Sequence, residues 1–552
     1  MRTATRWVPL LALAALAVVA WANSLTAPFM FDDRPAILNN SNIRQLWPPS
    51  VTLTAPPRSI LGGRPVVSLS LALNYAVGGL DVRGYHAFNV IVHFLSALIL
   101  LGIARRTLAL SPRLAPAAPG LALVVAAVWL VHPVQTDAVT YVTQRTELLM
   151  GLFYLSTLYT AIRASHGPRS RFWETAAIVS CAIGMGCKEV MVTAPVMVML
   201  YDRVFLYPSW AVAWRRRRVL YVGLVATWGV LATLLVLRPG HHFVVLMSGG
   251  RSVFERRVTP WEYLRTQFGV VARYLVLAVW PRGLCLDYGI WVARTTRDVL
   301  PGAIVVAALV GATAWAFRRW PGIGFLGASF LLLLAPSSTI VPILTETMAE
   351  RRMHLPLAPV ITALVIAAYV LGRPTRGAFR LGLVLAVVGI LSALTVQRNS
   401  DYRSEVSIWS DATRKVPSNP RAHNNLGNAL LAAGDDDGAF RELTEAVRLE
   451  PDYAEAHYNL GNVYFRNGQR AEAARSYGEA LRIDPELAPA HLNLGSLWFD
   501  EGRFDEAIVH YSEVLRLEPD SEASATIRQW LEKARQHLAA GSPATDGTGS
   551  GN

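Results

Sequence analysis

Two adjacent carboxylates, Asp32 and Asp33, lie shortly after the first apolar run of the chain. Carboxylates beside a membrane surface are costly unless they have a function, and transfer of a sugar needs a carboxylate to take the proton of the acceptor hydroxyl. One member of the pair is therefore a candidate general base, and the sequence does not say which. The alternative interpretation is an ordinary solvated loop in which both aspartates cap helices.

Three basic residues lie at the borders of apolar runs, where a lipid-linked phosphate would meet the membrane surface: Arg145, Lys188 and Arg351. A phosphate leaving group gains negative charge in the transition state, so fixed cations at this depth would lower the barrier. We predict that these three residues bind the donor phosphate. The alternative is that they are topology or snorkelling residues.

A further set of polar residues accompanies these candidates. It comprises His132, Asp137, Glu147, Glu189 and Glu350. We expect Glu189 and Glu350 to orient the adjacent cations as ion-pair partners. The other three could line a pocket for the acceptor or the sugar.

Other chemistries have little support in the sequence. His241 and His242 are adjacent, but no acidic cluster accompanies them, so we favour no metal and no other cofactor. No phosphate-cradling glycine-rich loop and no Walker motif occurs, which argues against the use of nucleotide sugars or ATP. The formal net charge is +13, but arginines are grouped between apolar runs, as in membrane topology signals, so we expect no nucleic-acid partner.

The elements that position these residues are membrane helices. Of the 552 residues, 53% are apolar and only 16% are charged, whereas soluble domains carry about 25% charged residues. A bilayer-spanning helix needs about 20 apolar residues. The predicted spans are 7–23, 88–104, 114–131, 148–164, 219–237, 299–317, 322–341, 355–372 and 380–397, with a short hairpin formed by 173–187 and 190–206. A cleaved signal peptide is the alternative interpretation of the first run.

The run 264–281 contains Arg265 and Arg273, so we expect it to lie along the interface or to re-enter rather than to cross. Without it, the chain makes eleven crossings with the N-terminus inside. The arginine-rich loops then lie on the cytoplasmic side, and the candidate site residues and the C-terminal region lie on the other.

The C-terminal region has a 34-residue period, which is that of the tetratricopeptide repeat. It is visible in Pro417, Pro451, Pro485 and Pro519 and in three glycines, Gly427, Gly461 and Gly495. The period predicts three helix pairs, at 420–453, 454–487 and 488–521, and a capping helix to Leu538. Such arrays bind peptides or partner proteins.

Several stretches of the chain resemble a known family. They are FMFDDRPAI (29–37), RPVV (64–67), GYHAFNV (84–90), HPVQTDAV (132–139) leading into QRTELL (144–149), Lys188-Glu189, LDY (286–288) and ERRMHLP (350–356). Together, in this order and followed by the repeats, they resemble the transmembrane and tetratricopeptide-repeat-containing O-mannosyltransferases, which are GT-C class membrane glycosyltransferases.

The resemblance implies an all-α protein. It would contain a GT-C-like membrane domain of about 11 spans (1–397), a linker (398–419), an α-solenoid of TPR helix pairs (420–538) and a disordered tail (539–552). It also implies an inverting transfer of a sugar, mannose by this resemblance, from a polyprenyl-phosphate-linked donor to a Ser/Thr hydroxyl of a protein at the non-cytoplasmic face. The family's first-loop acidic residue corresponds to the Asp32/Asp33 pair. The repeats would bind the acceptor or a partner, and the composition favours a bacterial inner membrane with the repeats in the periplasm.

Two other classes of function stay open. The chain could be a membrane-anchored TPR adaptor without catalysis, although eleven spans exceed what anchoring requires. It could also move the lipid-linked sugar across the bilayer, but such transporters usually carry charges within their helices and related halves, which we do not find here.

Overall fold

The computed structural model describes residues 4–54, 61–165, 169–236, 258–338, 346–372, 377–519 and 523–541. Every regular element in these ranges is a helix, which confirms the predicted all-α class. The described residues divide into two compact units, one that ends at residue 411 and one that begins at residue 412. His241, His242 and all but the first residues of the predicted tail lie outside the described residues.

The first unit contains sixteen α-helices in its described residues. They are α1 (Ala4–Trp21), α2 (Pro49–Leu53), α3 (Pro65–Gly78), α4 (Val82–Ala109), α5 (Ala118–Leu130), α6 (Thr136–Val139), α7 (Arg145–Ala164), α8 (Ser170–Met185), α9 (Ala194–Tyr201), α10 (Trp210–Ala226), α11 (Trp228–Val236), α12 (Pro260–Val279), α13 (Thr296–Arg319), α14 (Pro321–Leu334), α15 (Leu357–Leu371) and α16 (Gly377–Asp401). The division between the units falls within α17 (Glu405–Lys415).

Five helical segments in the described ranges are long and apolar enough to cross a membrane. They are Trp7–Ser24, Val82–Ala109, Trp210–Val236, Thr296–Arg319 and Gly377–Asp401, and a sixth candidate is the pair Ala115–Leu130 and Pro133–Val139, which is bent by 51°. The chain is therefore a multi-pass membrane protein. The total of about 11 crossings stays a prediction, because α3, α14 and α15 are apolar but shorter.

Helix α12 covers the run that we expected not to cross. The helix begins with a capping box between Thr259 and Glu262. Three of its side chains donate hydrogen bonds to backbone carbonyls of residues 337, 347 and 349. Tyr263 donates to the Ser337 carbonyl, Gln267 to the Thr347 carbonyl, and Tyr274 to the Ala349 carbonyl, at 2.8, 3.0 and 2.8 Å. This helix therefore fixes the backbone on which Glu350 and Arg351 lie.

The predicted hairpin around Lys188 contains a break in the helical backbone. Helix α8 ends at Met185, Lys188 is extended, and a 3-10 turn from Glu189 to Thr193 leads into α9. The interruption exposes backbone groups that a continuous helix would satisfy internally, which is tolerated where protein surrounds the break.

The second unit consists of paired helices. They are α18 (Pro420–Ala433) with α19 (Asp436–Leu449), α20 (Ala454–Arg466) with α21 (Arg470–Ile483), and α22 (Ala488–Asp500) with α23 (Phe504–Leu517), followed by α24 (Ser524–Gly541). Three histidines occupy equivalent positions in the three repeats, 34 residues apart, and make the same hydrogen bond. Nε2 of His423, His457 and His491 lies 3.0, 2.9 and 3.1 Å from the carbonyl of the proline six residues earlier. Each histidine thus satisfies a carbonyl at the turn between repeats.

Two glycines of the second repeat allow a matched test of helix packing. A Cβ atom at Gly461 would lie 2.6 Å from Tyr477, whereas a Cβ atom at Gly478 would meet nothing within 4 Å. We expect Gly461→Ala to destabilise the repeat by about 1–3 kcal/mol through overpacking. Gly478→Ala should stabilise it by about 0.5–1 kcal/mol, because alanine loses less backbone entropy in a helix.

The measurement is the temperature at which a protease begins to cut within residues 454–487 of the detergent-solubilised chain. The cutting temperature should fall for Gly461→Ala and stay level or rise for Gly478→Ala. Equal behaviour of the two variants would contradict the close packing of α20 on α21.

Candidate active site

The acidic loop after α1 is shaped by a strained residue. Phe31 has φ +47°, the one positive φ at a non-glycine residue in the described ranges. This conformation is costly for a bulky side chain and persists only where the surroundings impose it. The ring of Phe31 packs edge-on against Trp409 at 5.4 Å between centroids. The turn at Phe31 places the next two carboxylates in different environments.

Asp33 is the buried member of the pair, with 1% of its surface exposed. Its Oδ1 accepts a hydrogen bond from the Thr143 amide at 2.8 Å, and its Oδ2 accepts one from the Met30 amide at 3.1 Å. Burial raises the pKa of Asp33 to about 7, although both hydrogen bonds oppose the shift and the charge of Asp32 adds to it. The Asp33 carboxylate therefore holds the loop after α1 against the segment that follows α6.

Asp32 is partly exposed. Its backbone amide donates to the hydroxyl of Tyr141 at 2.9 Å, so the same segment also fixes its backbone. Burial raises the pKa of Tyr141 well above its usual value, the Asp32 and Asp33 carboxylates raise it further, and the Arg351 guanidinium opposes them. Tyr141 thus contacts the acidic pair directly, through the Asp32 amide, and is within electrostatic range of Arg351.

Arg351 belongs to a buried ionic cluster. Its backbone amide and Nη1 both donate to Asp137 Oδ2, at 3.0 and 3.3 Å, and its Nη2 pairs with Glu346. Glu350, which we expected to orient Arg351, is directed elsewhere: its Oε1 accepts from the Cys285 amide at 2.5 Å and from the Tyr288 hydroxyl at 2.6 Å. The partners differ from the prediction because neighbours in a 3-10 turn point in different directions.

Lys188 is the centre of a second group of charges. Its Nζ pairs with Glu147, which lies in the first turn of α7, and not with the adjacent Glu189. Glu189 lies 3.7 Å from the Arg64 guanidinium instead. Lys188 is extended, so its side chain and that of Glu189 diverge. The expectation that Glu189 orients Lys188 is therefore replaced by two separate ion pairs.

Two small cavities meet at Lys188. The first is lined by Gly63, Arg64, Met185, Lys188 and Glu189 together with leucines of α11. The second is lined by Glu147, Lys188, Ser337 and Arg352 together with apolar residues of α7, α14 and the loop before α15. Cations and apolar side chains share these walls, which suits a phosphate carried on a hydrocarbon chain.

Arg352 was not predicted from the sequence as a site residue. Its Nη2 donates to the Glu346 carbonyl at 2.8 Å, and its Nη1 lies 3.3 Å from the Tyr263 hydroxyl and from the Thr347 carbonyl. All of these acceptors are neutral, and no carboxylate lies within ion-pair distance of it in the described part of the chain. Its positive charge is therefore neutralised less than that of Arg351.

Arg145 occupies a different position from the one predicted. It is completely buried and donates to Asn89 Oδ1 at 2.8 Å, to the Ser70 carbonyl at 3.1 Å and to the Tyr85 carbonyl at 3.0 Å. Its guanidinium also lies over the Phe88 ring, 4.3 Å from the centroid. The side chain joins α3, α4 and α7 and has no surface left for a donor phosphate.

His132 is likewise a structural residue in this arrangement. It is 2% exposed, its Nδ1 accepts from the Val134 amide at 3.3 Å, and its Nε2 lies 3.3 Å from the Ala278 carbonyl. It therefore caps the 3-10 turn before α6 and contacts α12 rather than lining a pocket.

No group of three or more His, Cys, Asp or Glu side chains that could hold a metal ion occurs within the described ranges. The absence of a metal requirement stays a prediction. The site residues described above that the sequence did not single out are Arg64, Tyr141 and Arg352. Arg64 and Arg352 lie within the quoted motifs, so the motifs themselves carried the signal for those two.

The chain is similar to known proteins in both of its units. Residues 427–468 match the family model described as TPR repeat, and residues 458–522 match the model described as tetratricopeptide repeat. Human protein O-mannosyl-transferase TMTC4 is 25% identical over 496 residues, covering 78% of this chain and 65% of that protein. The protein O-mannosyl-transferase F38B6.6 of Caenorhabditis elegans is 25% identical over 451 residues, covering 76% of this chain and 60% of that protein.

These findings confirm the resemblance predicted from the motifs and the tetratricopeptide nature of the repeats. The chain spans about 65% of the length of the human relative. Among solved structures, that of ArnT from Cupriavidus metallidurans bound to undecaprenyl phosphate covers 88% of this chain and 81% of its own at 16% identity. Its TM-score of 0.39 is too low to carry an argument.

The two aspartates can be separated by their effects on stability. Asp33→Ala leaves the Thr143 and Met30 amides without an acceptor in a buried position, so we expect a loss of about 2 kcal/mol or more in the free energy of unfolding. Asp32→Ala should change it by no more than about 0.5 kcal/mol, because the Asp32 side chain is partly exposed. Thermal unfolding of the purified protein in detergent measures both, and equal stability of the two variants would contradict the structural role of Asp33.

Proposed function

We propose that the membrane unit transfers a hexose from a polyprenyl-phosphate-linked donor to a hydroxyl group of a protein, with inversion at the anomeric carbon. The relatives are named protein O-mannosyl-transferases, which favours mannose as the sugar and a serine or threonine hydroxyl as the acceptor. The observation that carries the proposal is the pair of polar groups on this unit: Asp32, whose backbone amide donates to the Tyr141 hydroxyl, and the cavity lined by Lys188 and Arg352. Glu346 links that cavity to Arg351, because it pairs with the Arg351 guanidinium and accepts from Arg352 through its carbonyl.

Asp32 is the better candidate for the general base, because Asp33 uses both of its oxygens on backbone amides. In the proposed step the Asp32 carboxylate takes the proton of the acceptor hydroxyl while the hydroxyl oxygen attacks the anomeric carbon. The bond from that carbon to the phosphate oxygen breaks, and the electron pair leaves with the polyprenyl phosphate. A single displacement of this kind inverts the configuration.

Lys188 and Arg352 are proposed to stabilise the leaving phosphate, with Arg64 at the neighbouring cavity. The phosphate gains one negative charge as the bond breaks, and cations held in place by the protein stabilise that charge without reorganisation. Arg351 is bound to two carboxylates, Asp137 and Glu346, so it contributes less free charge to the donor. Of the three cations predicted from the sequence, Lys188 is the one that keeps this role most directly.

The repeats are proposed to bind the acceptor protein or a partner. We place the transfer at the non-cytoplasmic face because the arginine-rich loops of the sequence favour that topology. An adaptor that uses the membrane unit only as an anchor would have no need of buried ion pairs, which cost several kcal/mol of desolvation per charge.

Asp32→Asn should lower the transfer rate by about 10²–10⁴-fold, because the amide cannot accept the proton. The assay follows labelled mannose from polyprenyl-phosphate mannose to a serine- and threonine-containing acceptor in membranes that hold the expressed protein. Asp298→Asn, at an exposed carboxylate in the first turn of α13, is the control and should keep full activity. Normal transfer by Asp32→Asn would refute Asp32 as the base.

A second pair of variants tests the donor site. Lys188→Met and Arg352→Met should each lower kcat/KM for the lipid-linked donor by about 10–100-fold, because each removes one charge from the leaving phosphate. Bare polyprenyl phosphate should inhibit the unaltered protein and inhibit these variants less. The exposed Arg516→Met in the repeats serves as the control. Unchanged kcat/KM in both membrane variants would place the phosphate elsewhere.

A further inference from the structure

A buried cluster close to Arg351 contains polar atoms that no described residue satisfies. They are Asp137 Oδ1, Glu350 Oε2, Arg398 Nε and Nη2, and the Tyr402 hydroxyl. The four side chains are 0, 0, 5 and 0% exposed. Buried polar groups are nearly always hydrogen-bonded, and each one left without a partner costs about 1–3 kcal/mol. Five such atoms in one region indicate a place that is filled by something else.

Three of the four side chains of the cluster are held by their other polar atoms. Arg351 fixes Asp137, the Cys285 amide and the Tyr288 hydroxyl fix Glu350, and Arg398 Nη1 donates to Asp401 at 2.9 Å and to Asp411 at 2.6 Å. The unsatisfied atoms are therefore oriented in advance, which is the arrangement that a binding site requires.

The four groups face a common environment. The Arg398 guanidinium lies 5.4 Å from the Tyr402 ring centroid. Burial raises the pKa of Tyr402 well above its usual value, with Arg398 opposing the shift and Asp137 and Glu350 adding to it. A hydrogen bond of 2.8 Å between the Thr140 hydroxyl and Asn399 also ties the end of α6 to the end of α16.

The unsatisfied donors and acceptors of the cluster determine which kind of molecule can bind there. It offers two carboxylate oxygens as acceptors and three N–H or O–H groups as donors. An anion would meet the carboxylates of Asp137 and Glu350, and a cation would meet Arg398, so neither is favoured. A neutral molecule with several hydroxyl groups can donate to the carboxylates and accept from Arg398 and Tyr402 at the same time.

We propose that Asp137, Glu350, Arg398 and Tyr402 bind the hydroxyl groups of the transferred sugar. This subsite rests on the proposed function and extends it from the phosphate to the sugar ring. Asp137 is bonded to Arg351, and Glu346, the other partner of Arg351, also accepts from Arg352 at the proposed phosphate site. A sugar held by the cluster would therefore lie on the side of Arg351 that faces Asp137. Ordered water molecules without a sugar are the competing occupant.

The test measures binding rather than turnover. It uses the full chain carrying Asp32→Asn in nanodiscs, so that the donor is not consumed. The dissociation constants of polyprenyl-phosphate mannose and of bare polyprenyl phosphate are measured for this parent and for the same chain with Tyr402→Phe or Glu350→Gln. Tyr402→Phe removes only a hydroxyl that has no hydrogen-bond partner among the described residues, so folding should be unaffected. Tyr207→Phe, outside the cluster, is the matched control.

Each variant should bind polyprenyl-phosphate mannose about 10-fold more weakly, the value of one hydrogen bond to a charged or buried group, and bind bare polyprenyl phosphate within about twofold of the parent. Tyr207→Phe should match the parent with both lipids. If Tyr402→Phe leaves both constants unchanged, the cluster holds only water and the subsite is refuted. An equal loss for both lipids refutes it as well, because the sugar then makes no separate contact. If the parent binds neither lipid, the proposed function itself is wrong and the subsite is wrong with it.

Discussion

The hydrogen bonds of the Asp33 carboxylate to the Thr143 and Met30 amides hold the first loop of the membrane unit in place. The bond to Thr143 joins residues 110 positions apart and holds the loop after α1 against the segment between α6 and α7. Burying a carboxylate is unfavourable, and the raised pKa of Asp33 is the sign of that cost. The neighbouring Asp32 is partly exposed, and its backbone is fixed by the Tyr141 hydroxyl. Asp33 therefore has a structural role, which leaves Asp32 as the proposed base.

The same division of roles recurs among the cations. The Arg145 guanidinium, on α7, donates its hydrogen bonds to residues of α3 and α4. Lys188 and Arg352 instead line cavities that have apolar and charged walls. Lys188, Glu189 and Arg352, which line the cavities, lie on an extended residue or on short 3-10 turns rather than in long helices. Such segments direct consecutive side chains to different partners, which allows many ionisable groups to meet in a small volume. The long helices form the apolar core of the unit, and the non-helical segments between them carry Lys188 and Arg352.

Much of the architecture could be read from the sequence because it depends on local patterns. Apolar runs gave the helices of the first unit, and the 34-residue spacing gave the helix pairs of the second. The pairing of charges depends on long-range packing and could not be read in this way. Lys188 pairs with Glu147, 41 residues away, and not with its neighbour Glu189. Arg398 directly follows the last predicted span, and only the fold shows that it is 5% exposed beside Tyr402. The different environments of Asp32 and Asp33 could not be read from the sequence either, because they depend on which carboxylate the backbone amides of residues 30 and 143 reach.

The central claim is that Asp32 and the cations of the Lys188 cavity serve one reaction centre. An experimental structure of the full chain with bound polyprenyl phosphate tests it most directly. The account predicts phosphate density in contact with Lys188 Nζ and the Arg352 guanidinium, with the Asp32 carboxylate facing the space next to the phosphate where a sugar would lie. A phosphate bound away from both cations, or an Asp32 carboxylate separated from it by packed protein, would contradict the account.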